Sequence, residues 1–274
     1  MSDVLQAVSE AMASLAERYA SVVRVEGRNR LPASGVIYRA DGVIVTSNHV
    51  IERDDELRIG LPGGDSVVAE LVVPDSRHGT PAVPARVGSG LSAASWVDSE
   101  ALRVGHLILA LGRPGQSIQA TLGVVSALGK AWRTGGGGEI DRYLQTDVVM
   151  YPGFSGGPLV AADGRIAGVN SSALVRGASV TIPAATAQRR CRDALAHGRM
   201  PRGYLGVGLQ PVRRRRLAGK SGASRPALML LLVEANARRT GRAAGRCAGD
   251  AGCAAVRQVD DLRALAAGER VKKR

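Results

Sequence analysis

The spacing of hydrophobic and polar positions changes character several times along the chain. Val4, Val8, Ala11, Leu15 and Tyr19 recur at helical intervals, which predicts an amphipathic helix over 1–19 that packs on the domain following it. From residue 20 to about 184 the pattern becomes alternating or continuous β-rich runs. They are cut by Ala40-Asp41-Gly42, Pro62-Gly63-Gly64-Asp65 and Ala162-Asp163-Gly164, each a hairpin signal. Many short strands are therefore expected, an all-β pattern. Pro183 to His197 returns to a helical period. Ala235 to Cys247 shows neither alternation nor a steady stripe, and such a run buries little.

Composition narrows this picture. Of 274 residues 45% are hydrophobic but only 3% aromatic, so the core must be built from Val, Leu, Ala and Ile. The net charge of +13 suggests nucleic acid until it is divided along the chain. Residues 1–212 hold 21 Lys/Arg against 19 Asp/Glu, giving +2, and residues 213–274 hold 16 against 5, giving +11. No specific nucleic-acid site is expected in the larger part; a basic site for anionic partners would belong to the tail.

No Lys or Arg precedes Arg18 and no apolar stretch of leader length is present, so a cytoplasmic protein is expected. The longest apolar run, Ala227 to Val233, is too short to span a bilayer. Cys191, Cys247 and Cys253 are odd in number and lack metal-ligand spacing with histidines, which reads as free thiols in a reducing compartment, with no metal. His78, His106 and His197 are expected at the surface or at strand ends. Gly135 to Gly138 lacks the following helix with Lys-Ser or Lys-Thr that a phosphate cradle needs, and is expected to be a flexible surface loop.

Two segments carry chemistry. Gly153-Phe154-Ser155-Gly156-Gly157-Pro158 sets a serine among glycines, and Thr46-Ser47-Asn48-His49-Val50 sets a histidine behind a strand-like run. A serine hydroxyl attacks a carbonyl only if a base removes its proton, and the resulting oxyanion needs backbone N–H groups aimed at it. The glycines let the amides of Gly153 and Ser155 converge as an oxyanion hole, while Gly156-Gly157 lets the strand starting at Pro158 pack closely. Ser155 is the candidate nucleophile and His49 its base.

With Ser34-Gly35-Val36-Ile37, Asp41 to Thr46, Leu109 to Pro114, Thr146-Asp147 and Arg202 to Val207, these motifs resemble the chymotrypsin-fold serine proteases of the HtrA type over about residues 20–212. The resemblance implies a trypsin-like protease domain at 20–199 made of two six-stranded β-barrels, at about 20–90 and 100–184. Residues 200–274 would form a partial or degenerate PDZ-like module, poorly ordered and basic. There Tyr204, Leu205, Gly206 and Val207 match a peptide-carboxylate loop and Gln258 to Leu265 match the PDZ helix. The Ala-, Arg- and Gly-rich stretch between them is also what a shifted reading frame in GC-rich DNA produces, which resequencing the gene tests.

The same resemblance implies an endopeptidase of protein quality control that acts on unfolded or extended polypeptides, needs no cofactor and assembles as a homotrimer. Its primary pocket would be floored by Val149 and lined by Phe154, Ser179, Val180 and Thr181. Without a carboxylate there, a small or medium aliphatic side chain is favoured over Arg or Lys. One departure is central: Pro81 occupies the position of the family's third triad member, an aspartate, and Asp75 is the candidate substitute. Three readings follow: an endopeptidase impaired by that loss, a non-cleaving peptide binder using the same cleft, and a basic tail for anionic partners.

Overall fold

A computed structural model describes residues 2–17, 19–28, 31–52, 57–73, 82–88, 90–97, 101–134, 138–175, 177–197, 207–214 and 225–233. The chain divides into two units, Met1–Met200 and Pro201–Arg274.

In the first unit, helix α1 (Ser2–Glu17) precedes strands β1 (Val22–Glu26), β2 (Ala33–Arg39), β3 (Val43–Ser47), β4 (Arg58–Gly60), β5 (Ser66–Val68), β6 (Glu70–Leu71) and β7 (Ala82–Arg86). These pair in the order β5-β4-β1-β2-β3-β7-β6. The outermost two, β5 and β6, are separated in sequence by Ala69 alone. They are two halves of one bent strand, and the seven-stranded sheet closes on itself there as a barrel of six. Ala69 is buried and donates its N–H to the Leu57 carbonyl at 2.9 Å, which fixes the bend.

A proline lies in the middle of this closure. Pro84 pairs with Val45 of β3, and its carbonyl accepts the N–H of Val72 at 3.1 Å. The N–H and C=O of one strand residue leave on the same side, so the donor that proline lacks faces β6 and not β3. The β6 ladder accordingly ends at two pairs, Glu70 with Arg86 and Leu71 with Ala85, while the β3 ladder runs unbroken through five.

The second barrel is closed and six-stranded. It joins β8 (Leu107–Gly112), β9 (Gln119–Leu128), β12 (Leu144–Thr146), β13 (Pro158–Ala161), β14 (Ile166–Ser171) and β15 (Ser179–Pro183) in the order β12-β15-β14-β13-β8-β9. A small hairpin of β10 (Trp132–Arg133) and β11 (Glu139–Ile140) interrupts the sequence between β9 and β12. Helix α2 (Ala184–His197) then packs on β7, β14 and β15. The three turn signals fall as expected, between β2 and β3, β4 and β5, and β13 and β14.

Three apolar clusters follow from this layout. Val23, Ile37, Ile44 and Ile59 fill the first barrel, and Ile108, Leu144, Phe154 and Leu159 the second. The third draws Val22, Val36 and Val45 from one barrel together with Leu109, Leu111, Val160, Val169 and Ile182 from the other. The barrels are thus joined by a continuous aliphatic layer, as the low aromatic content requires.

The amino-terminal helix forms, but its stripe packs at one end only. Val4 is 67% exposed and Ala11 is exposed, Val8 and Leu15 are half-buried, and Tyr19 is buried. Tyr19 donates its hydroxyl to the Gly164 carbonyl at 3.0 Å, tying the chain after α1 to the β13–β14 turn. Helical spacing shows which face is apolar but not how far along the helix the domain extends to cover it.

Cys191 is buried and unpaired, and burial pushes its thiol pKa up to about 12. His106 immediately precedes β8, while His78, Cys247, Cys253 and Gly135 to Gly137 lie outside the described residues. Gly138 is buried, its N–H donating to Thr134 Oγ1 at 3.0 Å, so the described end of the glycine run is a closed turn. Among the described residues no helix is long and apolar enough to cross a membrane.

The second unit contains an antiparallel pair, β16 (Val207–Arg214) and β17 (Arg225–Val233). Val207 opens β16 opposite Val233, and the strand runs into the first two arginines of the basic cluster. Tyr204, Leu205, Gly206, Gln258 to Leu265 and the rest of the basic tail lie outside the described residues.

Replacing Tyr19 with Phe removes the bond to Gly164 while keeping the buried ring. Stability is expected to fall by about 1 kcal/mol, read from the urea midpoint; an unchanged midpoint would show that the ring alone anchors the helix.

Candidate active site at the barrel junction

β3 is buried throughout and delivers Thr46 and Ser47 to the junction. The chain then makes one 3₁₀ turn, Asn48–Val50, whose Val50 is fixed in the first core and whose His49 is left half-buried. Ser155 comes from the opposite side, in tight turns closed by Phe154 N–H to the Tyr151 carbonyl and Gly157 N–H to the Phe154 carbonyl, both 3.0 Å.

Glycine is required on each side of this serine. Gly153 and Gly156 have φ of 97° and 89°, in the left-handed region that side chains disfavour. A Cβ at Gly153 would meet Pro114 and the Pro32 carbonyl, and one at Gly156 would meet the Ser34 carbonyl and Thr46 Oγ1. Two further bonds hold the turn to β14: Gly156 N–H to the Asn170 carbonyl and Asn170 N–H to the Gly157 carbonyl, both 2.8 Å. With the backbone so fixed, the N–H groups of Gly153 and Ser155 donate to no acceptor among the described residues.

The side chains form a line of hydroxyls. Ser155 Oγ lies 3.0 Å from Ser172 Oγ and accepts the Ser172 N–H at 3.2 Å. His49 Nδ1 lies 2.9 Å from Ser47 Oγ, which donates to Ser171 Oγ at 3.0 Å. Ser171 and Ser172 are consecutive, so the end of β14 reaches the surroundings of both the histidine and the serine. Among the described residues no hydrogen bond joins His49 to Ser155 directly. Burial, and next the nearby Arg28 guanidinium, hold the His49 pKa below the ordinary histidine value.

The third triad position, Pro81, and its candidate substitute Asp75 both lie outside the described residues. Among those described, the only side chain bonded to His49 Nδ1 is that of Ser47.

The expected pocket needs correction. Val149 is 54% exposed and Ser179 is half-buried at the start of β15, so these two reach the surface. Phe154 is fully buried in the second barrel, in the space left by Gly112 and edge-on to Tyr151 at 5.8 Å. It packs the core instead of lining a cleft, because the φ-positive Gly153 and Gly156 turn the chain so that Ser155 faces the barrel junction and Phe154 the core. Val180 and Thr181 are also fully buried: β15 is paired on both edges, and α2 packs against it.

Ser34, Thr46, Ser47, Asn170, Ser171 and Ser172 escaped the sequence reading as participants. The available signal was Asn170-Ser171-Ser172, three polar residues ending an otherwise apolar strand some fifteen residues beyond the glycine-flanked serine.

Two β-barrels with a histidine from the first and a glycine-flanked serine from the second at their junction define the chymotrypsin class of fold. The family model of the trypsin-like peptidase domain matches residues 33–169, half of the chain, and the chain belongs to that family, with HtrA/DegP-type serine proteases as its relatives.

A probable periplasmic serine endoprotease, DegP-like, from Pseudomonas savastanoi pv. phaseolicola is 38% identical over 203 residues, which are 71% of this chain and 41% of that protein. The protein so named from Rhizobium meliloti is 34% identical over 235 residues, 83% of this chain and 46% of its own. Among solved structures, the HtrA-type protease AlgW with tripeptide superposes with a TM-score of 0.60 at 30% identity, covering 73% of this chain and 68% of that one. The serine endoprotease from Yersinia pestis gives 0.58 at 29%, covering 72% and 71%. The chain thus spans about two-fifths to one-half of the length of these curated relatives.

The relatives overturn the cytoplasmic expectation. They are named periplasmic, which points to an extracytoplasmic location. Ser2–Glu17 form a helix of the folded unit, which carries no information about compartment, and a buried thiol such as Cys191 remains unpaired on either side of a membrane.

Gly156→Ala is expected to destabilise the first unit by at least about 2 kcal/mol, since left-handed strain and a clash with backbone coincide there. Thermal unfolding of the variant tests this, and an unchanged transition would mean that the turn tolerates another backbone shape.

Proposed function

We propose that the chain is a serine endopeptidase acting on unfolded or extended polypeptides. Ser155 is the nucleophile, His49 the general base and then the general acid, and the amides of Gly153 and Ser155 the oxyanion hole. The observation that carries this reading is the pair of uncommitted N–H groups on a turn only glycine permits, beside a half-buried histidine from the opposite barrel. Undonated amides at a fixed turn are costly unless an acceptor arrives, and the developing oxyanion is such an acceptor.

For attack, Ser155 Oγ exchanges its bond with Ser172 for one to His49 Nε2, giving up and regaining about 1 kcal/mol on the scale of a neutral hydrogen bond. Its proton passes to the imidazole as Oγ bonds to the carbonyl carbon, and the imidazolium then protonates the leaving amine. Water repeats the sequence on the acyl-enzyme. The weak step is the imidazolium, which burial and Arg28 both disfavour. In chymotrypsin-type proteases, loss of a functional carboxylate behind the histidine lowers turnover about 10⁴-fold, so a proline at position 81 implies slow cleavage. Relatives named endoproteases, and an HtrA-type structure containing a tripeptide, support a polypeptide substrate.

One observation favours a second reading. Ser155 Oγ is bonded to Ser172 and not to His49, so in this structure the serine is not held by its base, as a peptide-binding cleft that does not cut would also have it.

Casein hydrolysis by wild type, Ser155→Ala and Pro81→Asp separates these. Slow cleavage by wild type, none by Ser155→Ala and faster cleavage by Pro81→Asp are expected. Cleavage that survives Ser155→Ala removes the serine mechanism, and peptide binding without product in all three establishes the non-cleaving reading.

The lowered His49 pKa adds a pH prediction. The base must be neutral, so activity is lost as pH falls through that pKa, and the acid limb of kcat/KM lies below the ordinary histidine range. Arg28→Ala removes a like charge and moves the limb upward; a limb that moves down or stays in place contradicts the assignment of His49 as the base.

A further inference from the structure

The hydroxyl of Ser47 has a single proton, and the heavy-atom geometry directs it toward Ser171. Ser47 Oγ donates to Ser171 Oγ at 3.0 Å and lies 2.9 Å from His49 Nδ1. With its proton committed to Ser171, Ser47 offers the imidazole only lone pairs. With the proton so directed, Nδ1 is the ring nitrogen that carries a hydrogen and donates it to Ser47. Nε2 is left with the lone pair that has to receive the Ser155 proton. A triad carboxylate enforces this same tautomer.

The strand register explains why a serine is in position to do this. Ser47 is the ladder partner of Ala82, the first residue of β7, and Pro81, at the position where the resemblance places the family's aspartate, is the residue before it in sequence. Proline has no side-chain acceptor and no N–H. Ser47 is 1% exposed and Ser171 2%, so water does not compete for either hydroxyl.

We propose that Ser47, held by Ser171, takes the orienting role of the family's aspartate as the positioning residue for His49, fixing the Nδ1–H tautomer without supplying a negative charge. Orientation then comes from a neutral relay, which does not itself stabilise the imidazolium. The consequence for turnover rests on the endopeptidase reading; the tautomer does not.

The test is ¹⁵N NMR of the full chain labelled at histidine, where the 4 histidines are few enough for His49 to be assigned by loss of its signals in His49→Gln. Wild type is expected to show Nδ1 protonated and Nε2 free. Ser171→Ala returns the Ser47 proton to the imidazole side and is expected to populate the Nε2–H tautomer. Ser47→Ala removes the acceptor and shifts the ring the same way, while Ser47→Thr retains the wild-type pattern.

Where peptide hydrolysis is measurable, kcat should fall about tenfold or more in the two alanine variants with KM little changed, and return in Ser47→Thr. An Nε2–H tautomer in wild type, or an unchanged ring in folded Ser171→Ala, overturns the proposal. Should Ser47→Ala fail to fold, Ser171→Ala interrogates the same relay from its other end. If wild type proves inactive, the endopeptidase reading falls while the tautomer still decides this inference.

Discussion

Ser34 lies in β2 at the face where the barrels meet, with no exposed surface, and each of its polar groups is engaged. Its N–H donates to the Ser155 carbonyl at 3.0 Å and its hydroxyl to the Gly153 carbonyl at 2.7 Å. The same hydroxyl accepts the Arg113 N–H at 2.7 Å, and its carbonyl accepts Thr46 Oγ1 at 2.7 Å. A buried polar residue left partly unsatisfied costs a few kcal/mol, so these bonds are made together or the junction opens. The apolar layer between the barrels supplies attraction but is indifferent to small sliding; Ser34 supplies the direction. It fixes the serine turn against β3, and β3 leads directly into the turn that holds His49. The absence of a Cβ at Gly156 is part of the same constraint, since that position rests on the Ser34 carbonyl.

Among the described residues, the groups assembled on this clasp are neutral. Ser47, Ser171, Ser172, Thr46 and Ser155 are hydroxyls, and the charge that acts on His49, from Arg28, is of the sign that opposes protonation. A hydroxyl can orient an imidazole by accepting its N–H, though more weakly than a carboxylate does. It cannot repay the cost of charging the ring. The geometry therefore favours a well-placed but weakly driven base.

How much of this was legible beforehand depended on whether the controlling interaction is local. Three glycine-bearing turns marked real hairpins, because their backbone demands are met within a few residues. The glycines about Ser155 were readable for the same reason. Phe154 was misjudged: Ser155 faces the barrel junction, but whether the residue before it turns into the core depends on Gly112, forty-two positions away in the chain. The Ser47–Ser171 and Ser155–Ser172 bonds span 124 and 17 residues, and single serines at such distances announce nothing in one dimension. The pattern Val4, Val8, Ala11 was truly amphipathic, yet the surface it would need ends before it does. Compartment was not legible from a folded helix at all.

Two prolines near the third triad position look destructive in a core strand, and the fold shows why one of them is not. Pro84 directs its missing donor toward β6, where the partner ladder is two residues long, and leaves the β3 side intact. Barrel closure needs the strand only to hold its register from Ala82 to Arg86. Catalysis in this family needs in addition one acceptor placed behind His49, a requirement that no backbone ladder can meet. Folding and chemistry thus make separate demands on neighbouring residues of one segment. A chain can satisfy the first while transferring the second to the strand opposite, where Ser47 already stands beside the imidazole.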